Sequence, residues 1–160
     1  MSTTPPAVLL FRDIPEPPVR ALLASHALEL VVVDDGAPIP GSYWGEPEAG
    51  IIGNTVYVRP DTPVHSLLHE ACHLIVLPPQ RRAAVHTDAT DSVDEENAVL
   101  VLQVLLSEQL PGVGRDRALA DMDAWGYSFR LGSARAYVEQ DAEDAFAFLA
   151  ARGLLPAMAA

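Results

Sequence analysis

The chain has 160 residues, of which 49% are hydrophobic, and a formal net charge of −12 at pH 7. This length suits one domain with a continuous hydrophobic core, so we expect a single domain over residues 1–160. All ten basic residues are arginines. With so acidic a balance and no lysine-rich stripe, nucleic acid and anionic membranes are poor candidate partners.

The sequence also bears on the compartment. It contains no run of about 18 consecutive apolar residues, which a membrane-spanning helix requires. Residues 1–18 lack the basic start and long apolar core of a secretion signal. Cys72 is the only cysteine, so no internal disulfide can form, and we expect a reducing, cytoplasmic setting.

The first third of the chain predicts strands around one short helix. Residues 7–12 and 28–34 are rich in aliphatic side chains, which favours two strands. Residues 14–27 begin with prolines, which are typical of a helix N-terminus. After a loop rich in Gly and Pro, Gly53-Asn54 separates two apolar runs, as the turn of a tight hairpin does.

The remainder of the chain predicts helices. Thr62 is placed to cap a helix whose first residue is Pro63, and Pro78-Pro79 must end it. Three more helices are predicted over residues 92–109, 115–127 and 133–153, the last one broken around Asp141. Strands in the first third followed by helices favour an α+β fold.

The helix after the hairpin carries the motif His69-Glu70-Ala71-Cys72-His73. Residues four apart lie on one helix face, about 6 Å along the axis, so the two imidazoles can converge on one ion. Glu70 projects about 100° round the helix, beside such an ion, where a general base would hold a water that zinc polarises. Two histidines and a glutamate on a buried helix would cost several kcal/mol unless paired or coordinated. We therefore favour one zinc ion over satisfied core histidines.

A catalytic zinc usually has three protein ligands, so a third must be sought downstream. The helix predicted over 92–109 opens with carboxylates, and steps of four, seven and eleven from Glu95 reach only apolar side chains, which must face inward. The same steps from Glu96 reach a more polar face, so Glu95 is the expected ligand. Ser92 to Glu95 also spells a capping box, in which Glu95 would bond to the start of its own helix and Glu96 or Asp94 would be the ligand.

Three segments, "GIIGNTVYVRPDT", "HSLLHEACHL" and "DEENAVLVLQVLL", resemble the small gluzincins of the ImmA/IrrE-like type, over about residues 28–108. The resemblance implies a zincin-like domain with a β-edge strand, an HExxH helix and a second helix with a Glu ligand. That family's second motif is E-x-x-A-N-x-F-A followed by two leucines. With Glu95 as its glutamate, Ala98 and Leu105-Leu106 match, whereas Val99 stands at the asparagine position and offers no polar partner to the ligands.

The C-terminal third resembles an uncharacterised bacterial family in which "HTDA", "EEN" and "DMDAWGYSFRLGSARA" recur together. That resemblance implies no function. For the protein as a whole, we expect a zinc-dependent metallohydrolase, a peptidase in which His69, His73 and Glu95 hold zinc and Glu70 activates water. A peptide or protein substrate would lie extended along Val56–Arg59, adding its backbone to a sheet edge.

Two hypotheses of other classes remain beside the peptidase. One is a catalytically inactive, zinc-stabilised binding or regulatory module, which the substitution of the family's asparagine motivates. The other is a metal-free interaction protein in which the histidines belong to the core.

A few residues outside the predicted ligand set are further candidates. His65 lies one turn before His69 and would either bond a carboxylate behind the ligands, line the cleft, or lie partly exposed at the helix start. His86 and Tyr127 are candidate donors to a transition-state oxyanion. Cys72 lies off the face of the two histidines, which favours a buried structural thiol over a ligand.

Overall fold

The computed structural model describes residues 8–42, 48–77, 81, 85, 93–125, 138 and 142–154. Over these residues the chain has an α+β fold, as the sequence predicts. Its strands are β1 (Glu29–Val32), β2 (Gly50–Ile52) and β3 (Thr55–Val58). Its α-helices are α1 (Glu16–Ala24), α2 (Val64–Val76), α3 (Val93–Ser107), α4 (Gly114–Trp125) and α5 (Glu143–Ala151). None of these helices is long and apolar enough to cross a membrane.

The strand predicted over residues 7–12 is wrong. Leu10 forms only an isolated bridge with Pro63, and a short 3-10 helix follows at Phe11–Asp13. The Asp13 carboxylate accepts a hydrogen bond from the Leu10 backbone N–H at 2.9 Å, and the Asp13 N–H donates to Leu10 O at 2.8 Å. This reciprocal pair closes a tight turn, so the apolar run cannot continue as a strand.

The sheet has the order β1-β3-β2, with β1 parallel and β2 antiparallel to β3. Ile52 pairs with Thr55 across Gly53-Asn54, and Gly53 has a φ of 59°, so the predicted hairpin is confirmed. Because β3 is the central strand, its backbone groups are already bonded on both sides. The expectation that a peptide adds to a sheet edge at Val56–Arg59 is therefore wrong.

One of the two edge strands is β2, and residues 40–42 of the same chain lie against its outer side. Ser42 forms a bridge with Gly50, and the Ile51 N–H donates to Gly41 O at 3.3 Å. A Cβ added at Gly50 would meet Pro40 O at 1.9 Å. Glycine is therefore required where the two backbones approach each other.

Helix α2 begins at Val64, and the predicted cap by Thr62 is wrong. The Thr62 hydroxyl accepts from the Arg59 N–H at 2.8 Å, so it closes the turn after β3 instead. The helix ends at Val76, whose carbonyl accepts from the Arg152 guanidinium at 3.0 Å. Pro78-Pro79, which we expected to end it, lie outside the described residues.

Helix α3 lies at the centre of the helical part and packs against α2, α4 and α5. From residue 95 to 107 nearly every side chain is buried, including the polar Gln103 and Ser107. The helices α4 and α5 confirm the predictions over 115–127 and over the second half of 133–153. Apart from Val138, the first half of that last prediction lies outside the described residues.

Candidate metal centre

His69 and His73 meet on one face of α2, as their spacing predicts. Their rings are perpendicular, with centroids 4.7 Å apart. The two Nε2 atoms lie 3.2 Å from each other. Two imidazoles are thus directed at one point by a single regular helix, without any distortion of its backbone.

The carboxylate that reaches these histidines belongs to Glu96 on α3. Its Oε1 lies 3.1 Å from His69 Nε2, and its Oε2 lies 3.2 Å from His73 Nε2. One carboxylate therefore spans both ring nitrogens. The Glu96 side chain is 41% exposed and that of His69 is 15% exposed, so the cluster opens to solvent on the side of Glu96.

Glu95, the ligand expected from helical phase, is placed differently. Its side chain is 7% exposed, and its Oε1 accepts from Arg81 Nη1 at 3.1 Å. The phase of α3 correctly predicts that Glu95 is buried, but the carboxylate at the histidines is the more exposed Glu96. The structure thus brings Glu96, the alternative ligand, to the histidines. Ser92, the first residue of the rival capping box, lies outside the described residues.

Glu70 lies beside the two histidines, as the motif requires of a general base. One nitrogen from each of His69 and His73 and one oxygen of Glu70 lie within 4.8 Å of one another, a group that could hold a metal ion. Glu70 is buried, and burial raises the pKa of its carboxyl above the usual value, although the neighbouring histidines oppose this. A carboxyl with a raised pKa is suited to taking up and releasing a proton.

The electrostatics of the pair His69–Glu96 favour charge in spite of burial. Burial alone would lower the pKa of His69 and raise that of Glu96. The hydrogen bonds between them, with that from His73, outweigh it, so the pKa of His69 is raised and that of the Glu96 carboxyl is well below its usual range. The site therefore attracts positive charge, whether a proton or a metal ion.

Gln103 is a residue of the site that the sequence reasoning missed. It lies on α3 two turns beyond Glu96 and is fully buried. Its Oε1 is 3.1 Å from His69 Nδ1, and its Nε2 donates to the backbone oxygen of His65 at 2.9 Å. An amide in the middle of an otherwise apolar buried helix is the signal that could have identified it.

His65 is buried at 4% exposure, so the partly exposed position is excluded. Burial and the neighbouring His69 lower the pKa of His65 to about 3, which keeps its ring neutral. Cys72 is fully buried, as predicted, and burial raises the pKa of its thiol. His86 and Tyr127, the candidate oxyanion donors, lie outside the described residues.

Comparisons with known proteins identify no similar protein. A scan against protein-family models, a search of curated proteins and a search of solved structures found no match. The gluzincin resemblance therefore stays a prediction.

Proposed function

We propose that the protein is a zinc-dependent metallohydrolase, a peptidase in which His69, His73 and Glu96 hold one zinc ion. The observation that carries the proposal is the convergence of both Nε2 atoms and both oxygens of Glu96, at 3.1 to 3.2 Å. The α+β fold, with an antiparallel edge strand and a histidine helix followed by a glutamate helix, supports a zincin-like arrangement.

The spacing of these atoms fits zinc. Two ligand atoms about 2.1 Å from a tetrahedral zinc ion lie about 3.4 Å apart. The separations between the two Nε2 atoms and the Glu96 oxygens fall slightly below that value. The donor set of two imidazoles and a carboxylate is one that zinc enzymes use, and it leaves a coordination position open. The exposed side of Glu96 gives a substrate access to that position.

When bound, zinc would supply the Lewis acidity that polarises a substrate carbonyl and lowers the pKa of water. Glu70 would take the proton of the attacking water at its carboxylate and pass it to the leaving amine, because its raised pKa allows both states. Gln103 would hold the His69 ring at Nδ1, which leaves Nε2 for the metal. Each role thus falls to a side chain already in position.

If Glu96 is the third ligand, the second motif resembles that of the gluzincins less closely. Counting from Glu96 instead of Glu95 shifts the second motif by one residue, so Ala98 and Leu105-Leu106 no longer match it. Support for the proposal therefore rests on the converging side chains more than on the second motif. We keep a peptide or protein as the substrate class and the cytoplasm as the setting.

Metal content and turnover together test the proposal. We expect close to one zinc per chain in the wild type and little in His73→Ala. Glu70→Gln should keep zinc and lose turnover of an unstructured protein substrate by at least about 100-fold, the usual contribution of a general base. A folded wild type that takes up no added zinc would overturn the proposal. A wild type that binds zinc but cleaves nothing would instead support the inactive binding module.

A further inference from the structure

We propose that Gln103 is a positioning residue that holds the His69 ring with a proton on Nδ1, so that Nε2 is free for a metal ion. This inference rests on the proposed function for its metal, although the state of the ring can be measured without one. It assigns a role to a buried amide on a helix that carries no part of the HExxH motif.

The orientation of the Gln103 amide follows from the chemistry of its partners. A backbone carbonyl can only accept, so the group that lies 2.9 Å from His65 O must be the NH2 of Gln103. The amide oxygen then faces His69 Nδ1 at 3.1 Å. Gln103 is fully buried, so turning the amide over would set oxygen against oxygen where no water compensates.

The proton on His69 follows from that orientation. An amide oxygen cannot donate, so His69 Nδ1 must carry the hydrogen that joins them. A neutral imidazole with its proton on Nδ1 has its lone pair on Nε2. Nε2 is the atom that faces His73 Nε2 and Glu96 Oε1, at 3.2 and 3.1 Å. The nitrogen whose lone pair a metal ion can use is therefore the one directed at the candidate metal position.

The two histidines differ in this respect. His73 Nδ1 is buried without a hydrogen-bond partner among the described residues. Only His69 has its second nitrogen held by a described side chain, and that side chain is tied in turn to the backbone of α2. We infer that the orientation of His69, more than that of His73, depends on the contact between α3 and α2.

The experiment locates the proton directly. Full-length protein labelled with 15N-histidine is studied by two-bond 1H–15N correlation NMR, metal-free and with zinc, and the His69 signals are assigned by their loss in His69→Ala. We expect Nδ1 of His69 to be protonated in both states. A wild-type ring protonated only on Nε2 overturns the proposal, and this result needs no variant at Gln103.

Zinc affinity gives a second, independent readout. Gln103→Met keeps the length of the side chain and removes both hydrogen bonds, so the dissociation constant for zinc should rise about 10- to 100-fold. The matched control is Ser107→Ala, one turn further along α3, because the Ser107 hydroxyl, among the described residues, bonds to its own helix at Val104 O. Equal zinc affinity in Gln103→Met and the wild type overturns the proposal. A wild type that binds no zinc overturns the proposed function, whereas the Nδ1 proton of the metal-free protein still decides the state of His69.

Discussion

Two stripes of helix α3, one residue apart, have different partners, and their carboxylates differ in burial. The apolar stripe consists of Glu95, Val99, Leu102 and Leu106. The polar stripe consists of Glu96, Leu100, Gln103 and Ser107. The first carboxylate pairs with Arg81, whereas the second spans the two histidines of α2, and the amide of its stripe bonds to His69. In a helix that is buried over most of its surface, polar residues rather than apolar phase indicate which face meets a polar site.

The largest difference between the two stripes is expected when each carboxylate is replaced by an amide in turn and zinc affinity is measured. Glu96→Gln should weaken zinc binding by more than about 100-fold, because it removes a ligand and not merely a partner of one. Glu95→Gln should bind zinc within a few-fold of the wild type. Titration with a competing chelator measures both constants. The reverse ranking would return the ligand role to Glu95.

Removal of the metal should separate the same two variants in stability. With free zinc at about 100 times its dissociation constant, binding stabilises the folded state by about 2.7 kcal/mol. Chelation should therefore lower the Tm of the wild type and of Glu95→Gln, and leave that of Glu96→Gln almost unchanged. Calorimetry with and without chelator checks this, and an equal loss of Tm in all three would argue against Glu96.

His65 on α2, whose backbone oxygen accepts from Gln103 of the polar stripe, provides a prediction of how stability depends on pH. In the folded protein burial lowers the pKa of His65 to about 3, whereas the side chain in the unfolded protein titrates near its usual value of 6.5. Between these values the unfolded state binds more protons, so stability falls as the pH is lowered through that window. The full effect of one such group is about 1.4 kcal/mol per pH unit.

His65→Gln, which cannot titrate, should therefore show a shallower loss of stability than the wild type between pH 6.5 and pH 3. Denaturant unfolding of both metal-free proteins gives the two slopes. Equal slopes would mean that the His65 ring is not held neutral in the folded protein.

The smallest effect is expected on the apolar stripe. Arg81→Gln removes a cationic partner from the buried Glu95 carboxylate and should lower the free energy of unfolding by about 1 kcal/mol, with zinc affinity unchanged. The control is Glu16→Gln, which breaks an exposed ion pair with Arg20 and should change stability by less than about 0.5 kcal/mol. A loss of zinc in Arg81→Gln would show that the two stripes are not separate.

The sequence predicts a large part of this site. The convergence of His69 and His73 follows from one turn of helix, and the place of Glu70 beside them follows from its angle on the same helix. The hairpin at Gly53-Asn54 follows from turn chemistry, and the α+β class follows from the order of the elements. All of these depend on local spacing, which a single sequence shows directly.

The choice between Glu95 and Glu96 could not be made in that way, because it depends on how α3 is rotated against α2. That rotation is set by packing between residues far apart in the chain. Gln103 was overlooked for the same reason, since its partner His69 lies 34 positions away. The strand predicted over residues 7–12 failed because the carboxylate of Asp13 closes a turn on Leu10.

The guanidinium of Arg152 closes the C-terminal end of α2 at Val76 O. During synthesis, every side chain assigned to the metal leaves the ribosome well before this arginine does. A nascent chain or a fragment that stops short of Arg152 would hold the complete ligand set, two histidines on α2 and Glu96 on α3, while the Val76 carbonyl at the end of α2 still lacks this partner. Truncation is therefore a poor route to a minimal domain, and the last helix has to be made before the first motif is fully supported.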